Sequence, residues 1–228
     1  MSPVDFDARM REIADSLTRP SKLDDALDRI TAAAVETVPG ADYASISTRH
    51  PDDRLETSAA TGDLPRRMDE MQYELREGPC YETVVDDDEA AVYSADVGDD
   101  GRWPRFGARA ADAGLRSQLA IQLDSRDGTA MSLNLYSQTA DAFREDRDLA
   151  QLFASHARVA LGFAAELKTL QGAVGTREVI GKAIGILMFK YNLTSERAFE
   201  FLVRLSQNSN IKLRDVAARI VAQPRDRV

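Results

Sequence analysis

Residues 43–59 read YASISTRHPDDRLETSA, and this stretch decides the fold class. Tyr43-Ala44-Ser45-Ile46-Ser47 and Leu55-Glu56-Thr57-Ser58-Ala59 alternate in twos around the turn Pro51-Asp52-Asp53, the pattern of a β-hairpin. Two further strands, around Ser117–Leu123 and Thr129–Tyr136, flank the turn Ser125-Arg126-Asp127-Gly128. Residues 64–114 between the hairpins mix helix and loop signals, with a short strand expected at Ala90–Tyr93. Helical periods lie on both sides of the strands, so the fold class is α+β.

On the N-terminal side, Phe6, Met10, Ile13 and Leu17 step by four, three and four, the stripe of an amphipathic helix that Pro20 ends. A second helix starts at Ser21 and carries Leu23, Leu27, Ile30 and Ala34 on one face before Pro39-Gly40. On the C-terminal side the chain reads as helical from Ala142 to Lys190, with a break expected at Gly172–Gly175. There Leu152, His156, Val159, Phe163, Glu166 and Leu170 form a heptad-like seam. Either this helix packs on its own sheet, or the seam and the Phe6–Leu17 stripe pair two chains in parallel; the second reading makes the protein a homodimer. Two more amphipathic helices follow, one capped at Thr194 or Ser195 with Ala198, Phe199, Leu202 and Leu205, the other after Asn210 with Leu213, Val216, Ala217 and Ile220. The expected domains are a helix over 1–20, a sensor-sized domain over 21–165 and a three-helix bundle over 166–224.

The chain has 228 residues with a net charge of −9, which taken whole argues against a nucleic-acid partner. The distribution argues otherwise. Residues 166–228 hold 11 basic and 6 acidic side chains, a net of +5, whereas the first 165 hold 18 and 32, a net of −14. The single cysteine, Cys80, excludes an intramolecular disulfide framework and a multi-thiolate zinc site. The acidic N-terminus lacks a secretory layout and no apolar run approaches ~18–20 residues, so the expectation is a soluble cytoplasmic protein.

Catalytic motifs do not survive inspection, so no catalytic or metal-binding residue is assigned. Gly175 to Gly181-Lys182 is one residue too long for a phosphate loop, and Ala183 stands where its hydroxyl belongs. No GxGxxG or HExxH occurs. The acidic runs Asp86-Asp87-Asp88 and Asp99-Asp100 read as solvated turns. Cys80, in Gly78-Pro79-Cys80, is either a redox sensor activated by a helix N-terminus or a small buried residue capping the sheet edge; the second reading is preferred. His156 reads as structural rather than as a haem ligand. Trp103 reads as packing for a long loop, with stacking over a ligand as the alternative.

Two families account for these segments. GPCYETV (78–84), DVGDDGRWPRF (96–106), GLRSQLAIQL (114–123), MSLNLYS (131–137) and AFREDRDLAQLFASHARVAL (142–161) resemble, in order, a GAF domain of bacterial regulators. REVIGKAIGILM (177–188), NLTSERAFEFLVRLS (192–206) and NIKLRDVAARIV (210–221) resemble an ANTAR domain, the RNA-binding module of transcription antitermination regulators. The resemblance implies a sensor domain built on about six mostly antiparallel strands flanked by helices. That domain often dimerises through its helices and often takes a small-molecule ligand. It also implies an effector domain that binds paired stem-loops in nascent transcripts and so acts on RNA polymerase indirectly. No cofactor or cofactor-binding residue is assigned. The signature of cyclic-nucleotide-binding GAF domains is absent, which disfavours that ligand. At the position where ANTAR domains often carry a lysine in their first helix, this chain has Ile184, and Lys182 projects in a different direction.

The candidate RNA contacts are Lys182, Arg204, Ser206, Gln207, Asn208, Asn210, Lys212 and Arg214, mostly clustered at the turn between the last two helices. Exposed bases accept bonds from amide and hydroxyl groups while phosphates need cations. Arg204 and Lys212 are expected at phosphates, Asn208 and Asn210 nearer loop bases. Four to five neutralised phosphates would give a log–log salt slope of roughly −3. Two other classes compete: a DNA-binding regulator reading Thr194–Val221 as a helix-turn-helix, and a GAF enzyme reducing methionine sulfoxide, which one cysteine per chain disfavours.

Overall fold

The structure, a computed structural model, describes residues 23–86, 90–126 and 128–222. The Phe6–Leu17 stripe and Asp87-Asp88 lie outside the described residues. Helix α1, Leu23–Thr37, buries Leu27, Ile30 and Ala34, and carries Asp24 and Asp25 in its first turn, where the helix dipole favours acids. It is followed by Gly40 at φ +79°, where a Cβ would stand 2.8 Å from the Ala142 carbonyl oxygen, so only glycine fits that turn.

Five strands follow: β1 (Tyr43–Arg49), β2 (Leu55–Ala60), β3 (Ala91–Ser94), β4 (Ser117–Arg126) and β5 (Thr129–Ser137). They form one antiparallel sheet in the order β2-β1-β5-β4-β3. These are the five segments expected from the sequence; the described residues contain no sixth strand, one fewer than the resemblance implied. The mixed segment resolves into α2 (Asp63–Leu75), α3 (Pro79–Val85), β3 and α4 (Pro104–Asp112). Proline opens both α3 and α4, a position where its missing N–H has no helical partner to lose.

Side chains directly opposite across a ladder share a face, and the two faces of this sheet differ in chemistry. Ile46, Leu133 and Ile121 form one row, joined by Leu119, Leu123, Leu135 and Ala44 in an apolar core under α1. Helix α5, Arg147–Tyr191, adds Ala150, Phe153, Ala154, Ala157, Ala160 and Leu161 to that core. The alternate face sets Ser45 beside Asn134, Ser47 beside Ser132, and Tyr136 beside Gln118. It is covered by α2, α3 and α4.

Helix α5 has no break at Gly172–Gly175, contrary to expectation. A glycine inside a helix costs only about 1 kcal/mol relative to alanine, and no proline lies in this stretch to force an end. Its buried alanine-rich side leaves Leu152, Val159 and Phe163 exposed on the side away from the sheet, and Leu170, further along the helix, is exposed as well. The helix therefore packs on its own sheet and still presents the seam.

The chain divides into two compact units after Ala165. In the second, the end of α5 packs with α6 (Ser195–Ser209) and α7 (Leu213–Ala222) around Ala183, Leu187, Ala198, Leu202, Val216 and Ala217. Thr194 is the N-cap of α6, its hydroxyl accepting from the Arg197 N–H at 3.4 Å. Asn210 closes the same helix in the left-handed conformation, φ 52°, with its N–H on the Gln207 and Ser206 carbonyls.

Candidate ligand and nucleic-acid sites

The polar sheet face comes from strands whose alternate residues are Ser, Asn, Tyr and Gln rather than Leu or Ile. Helix α2 lays Pro65, Met68, Asp69 and Gln72 over it at helical spacing, and all four are buried. Asp69 thereby places a carboxylate where no water reaches it. Its Oδ1 accepts from the Tyr136 hydroxyl, and its Oδ2 accepts from Thr57 Oγ1 at 2.9 Å. Tyr136 in turn lies 3.0 Å from Ser45 Oγ. Asn134 Nδ2 donates to Ser45 Oγ at 3.1 Å and to Ser47 Oγ at 2.8 Å, and Tyr73 donates to Ser47 at 2.6 Å.

Cys80 completes this network, with its Sγ 2.9 Å from Ser47 Oγ. Gly78 makes the approach of its helix feasible: at φ +117° it takes a conformation other residues avoid, and a Cβ there would meet Gln72 Oε1 at 2.3 Å. Gln72 Oε1 instead accepts from the Cys80 N–H at 2.9 Å. Cys80 is buried as preferred from the sequence, but it packs on β1, an interior strand, and not on the sheet edge.

Burial governs the titration of these groups. It raises Asp69 to about 6, opposed by the hydrogen bonds from Tyr136, Ser45 and Thr57. It also pushes the Cys80 thiol and the Tyr136 phenol well up, with the nearby Asp69 carboxylate adding to both. A thiol held protonated and covered is a poor redox sensor, so the geometry favours the packing role. Gln118 is buried on the same face, opposite Tyr136, and neither end of its amide has a hydrogen-bond partner among the described residues. The site is thus built from one carboxyl group and many neutral donors and acceptors.

Trp103 belongs to the core beside Met68, Phe106 and Tyr136, and its indole N–H donates to Glu82 Oε1 at 2.5 Å. It packs rather than caps an open cavity. His156 is half-buried, with Nδ1 2.9 Å from the Leu152 carbonyl of its own helix. Of the acidic runs, Asp100 accepts from Ser94 and Arg102. Among the described residues no group of three His, Cys, Asp or Glu side chains could hold a metal ion.

In the second unit, the α6–α7 turn brings Ser206, Gln207, Asn208, Asn210, Lys212 and Arg214 together, with Arg204 one turn earlier on α6. Arg204, Gln207, Asn208, Asn210, Lys212 and Arg214 are exposed. Ser206 is half-buried, and its hydroxyl donates to the Ile211 carbonyl at 2.6 Å, so it shapes the turn. Arg214 Nε reaches the adjacent Asp215 carboxylate at 3.2 Å. Lys182 sits apart from the turn in sequence, on α5, paired with Glu178 at 2.5 Å. Ile184 is half-buried against the bundle core, which accounts for an apolar side chain there.

Comparison with known proteins agrees with this division. A family model for the GAF domain matches residues 21–162, and one for the ANTAR domain matches residues 168–221. No curated protein matches the sequence. Among solved structures, a bacteriophytochrome from R. palustris is similar with a TM-score of 0.58 and 13% identity, covering 82% of this chain and 43% of that one. This chain therefore spans less than half of that photoreceptor. The GAF domain from a phosphoenolpyruvate-protein phosphotransferase of Coxiella burnetii gives a TM-score of 0.52 at 16% identity over 76% of this chain and 98% of its own. A free methionine-R-sulfoxide reductase from Neisseria meningitidis gives 0.54 at 16% identity over 71% and 90%. At such identities the likeness is one of fold.

Proposed function

This chain belongs to the GAF domain family and carries an ANTAR domain behind its GAF domain, and from that premise we propose that it is a cytoplasmic, homodimeric transcription antitermination regulator. Both domains are regulatory in kind. The ANTAR bundle binds paired stem-loops of nascent RNA through the α6–α7 turn, and the GAF domain adjusts that activity in response to a small molecule or partner. One observation carries the RNA reading: in the matched ANTAR region the core takes the alanine and leucine side of each helix, leaving the Arg204–Arg214 amides and cations exposed. Arg204 and Lys212 neutralise phosphates, while Asn208 and Asn210 lie nearer unpaired bases.

The test is a gel-shift titration of an RNA carrying two stem-loops with the Lys212→Glu/Arg214→Glu variant. Binding is expected to fall at least 100-fold while the melting temperature holds; unchanged affinity removes the assignment. Competition with duplex DNA separates this reading from a DNA-binding regulator.

The dimer rests on the exposed seam. Leu152, Val159, Phe163 and Leu170 recur at heptad spacing and are all exposed, as a parallel two-chain seam requires. Val159→Glu/Phe163→Glu is expected to convert a dimer into a folded monomer in sedimentation velocity. A variant that still sediments as a dimer assigns the contact to another surface.

A further inference from the structure

Helix α6 carries a second exposed feature beside the turn. Arg197, Phe201, Arg204 and Asn208 recur at steps of four, three and four, which at ~100° per residue sets them in one stripe about 60° wide. The stripe does not serve the bundle core, which takes Ala198 and Leu202 from a face roughly 110° further round the helix. Phe201 is 46% exposed. Its ring meets that of Tyr191, itself 55% exposed, with centroids 6.3 Å apart and planes inclined by 35°. Lys190 Nζ lies 5.9 Å from the Tyr191 ring centroid.

Two aromatic rings left in water, bordered by two arginines and a lysine, are costly unless something covers them. With three cations against the one exposed carboxylate beside the stripe, Glu200, the border is net cationic; it runs into the amide-rich turn through Arg204 and Asn208, so charge selects a polyanion as the cover. Fully paired RNA hides its base faces; unpaired loop bases expose them, and these stack on aromatic rings whatever their sequence.

We propose that Phe201 and Tyr191 form a stacking platform for unpaired RNA loop bases, with Arg197 and Arg204 holding the flanking phosphates. The proposal rests on the RNA reading above and extends the contact surface from the turn along α6. It adds aromatic stacking to the hydrogen-bonding and charge contacts that the turn offers.

The experiment uses the full-length protein and a two-stem-loop RNA carrying 2-aminopurine at each loop position in turn. Wild-type protein is expected to change the 2-aminopurine emission at one or more positions. Phe201→Leu should abolish that change and weaken binding about tenfold, leaving the salt slope as it was. Phe201→Trp should retain both signals. Arg197→Gln should reduce the salt slope by about 0.7 while keeping the emission change. If Phe201→Leu binds and perturbs 2-aminopurine like wild type while Lys212→Glu/Arg214→Glu loses binding, the platform is wrong and the RNA reading stands. If wild type binds no RNA, both fall together. If Phe201→Leu instead disrupts the dimer in sedimentation velocity, the rings face a second copy of the chain and the proposal is overturned.

Discussion

The two units handle polar side chains in opposite ways. The GAF unit turns Asp69, Tyr136, Ser45, Ser47 and Asn134 inward and satisfies them with each other. The ANTAR unit builds its small core from alanine, leucine and valine and turns its arginines, lysines and amides outward. A substitution in the first network should therefore be read in stability and pH, one in the second in affinity and salt. The contrast arises from geometry: a five-stranded sheet has two faces to cover, and one of them can be polar if α2 brings matching groups. A three-helix bundle has a single core, so whatever is polar must lie outside.

The sharpest way to break this contrast is the Lys212→Glu/Arg214→Glu exchange, whose expected loss of at least 100-fold in RNA affinity should come with no change in melting. Next in size is the pH dependence of the GAF unit. The folded pKa of Asp69, about 6, lies above the ordinary aspartate value of ~3.9, so the folded state binds the proton more tightly than the unfolded state. The contribution to stability is fully present below pH ~4 and lost as pH rises through 6. The cost of the buried charge at neutral pH is of order 2–3 kcal/mol. Asp69→Asn should flatten the stability–pH curve between 5 and 7.5 relative to wild type in urea titrations. Parallel curves for the two proteins would mean that Asp69 does not titrate in that range.

Tyr136→Phe is expected to cost about 1.5–3 kcal/mol, because it removes the hydroxyl that donates to Asp69 while keeping the ring in the core. The loss should shrink at pH 5, where a protonated Asp69 needs no donor. An equal loss at both pH values would place the effect in packing. In the ANTAR unit the corresponding groups point the other way: Lys182 holds the exposed Glu178 below the usual carboxylate range. Acid therefore weakens that pair and favours a protonated Asp69. Converting Glu178 to Gln should leave the GAF transition where it was and barely move the bundle, because solvent and salt screen an exposed pair on one helix.

Much of this was legible in the residues themselves. The five strands follow from alternation, and the bundle from the periodic Ala198–Leu202 and Val216–Ala217 positions with the Thr194 cap, because strand and helix periods and caps are local properties of the chain. The exposed turn was legible for the same reason, since amides and cations between two amphipathic helices have no apolar face to enter. The aromatic stripe was present in the sequence, but Phe201 could have been core; only the packing of α6 on Ala198 and Leu202 left it outside.

Other features belonged to the tertiary structure alone. Asp69 and Tyr136 are 67 residues apart, and nothing nearby in the chain marks either as half of a buried pair. The alternating Ser, Asn and Tyr positions of β1 and β5 were a signal that one sheet face is polar, yet which helix covers it depends on the path of the chain through α2 and α3. Helix α5 offers two stripes, one of alanines with Phe153 and Leu161, the other of Leu152, Val159, Phe163 and Leu170. Sequence periodicity identifies both as apolar. The choice between them was made by close packing, because small side chains let the helix axis approach the sheet and the larger ones are left exposed.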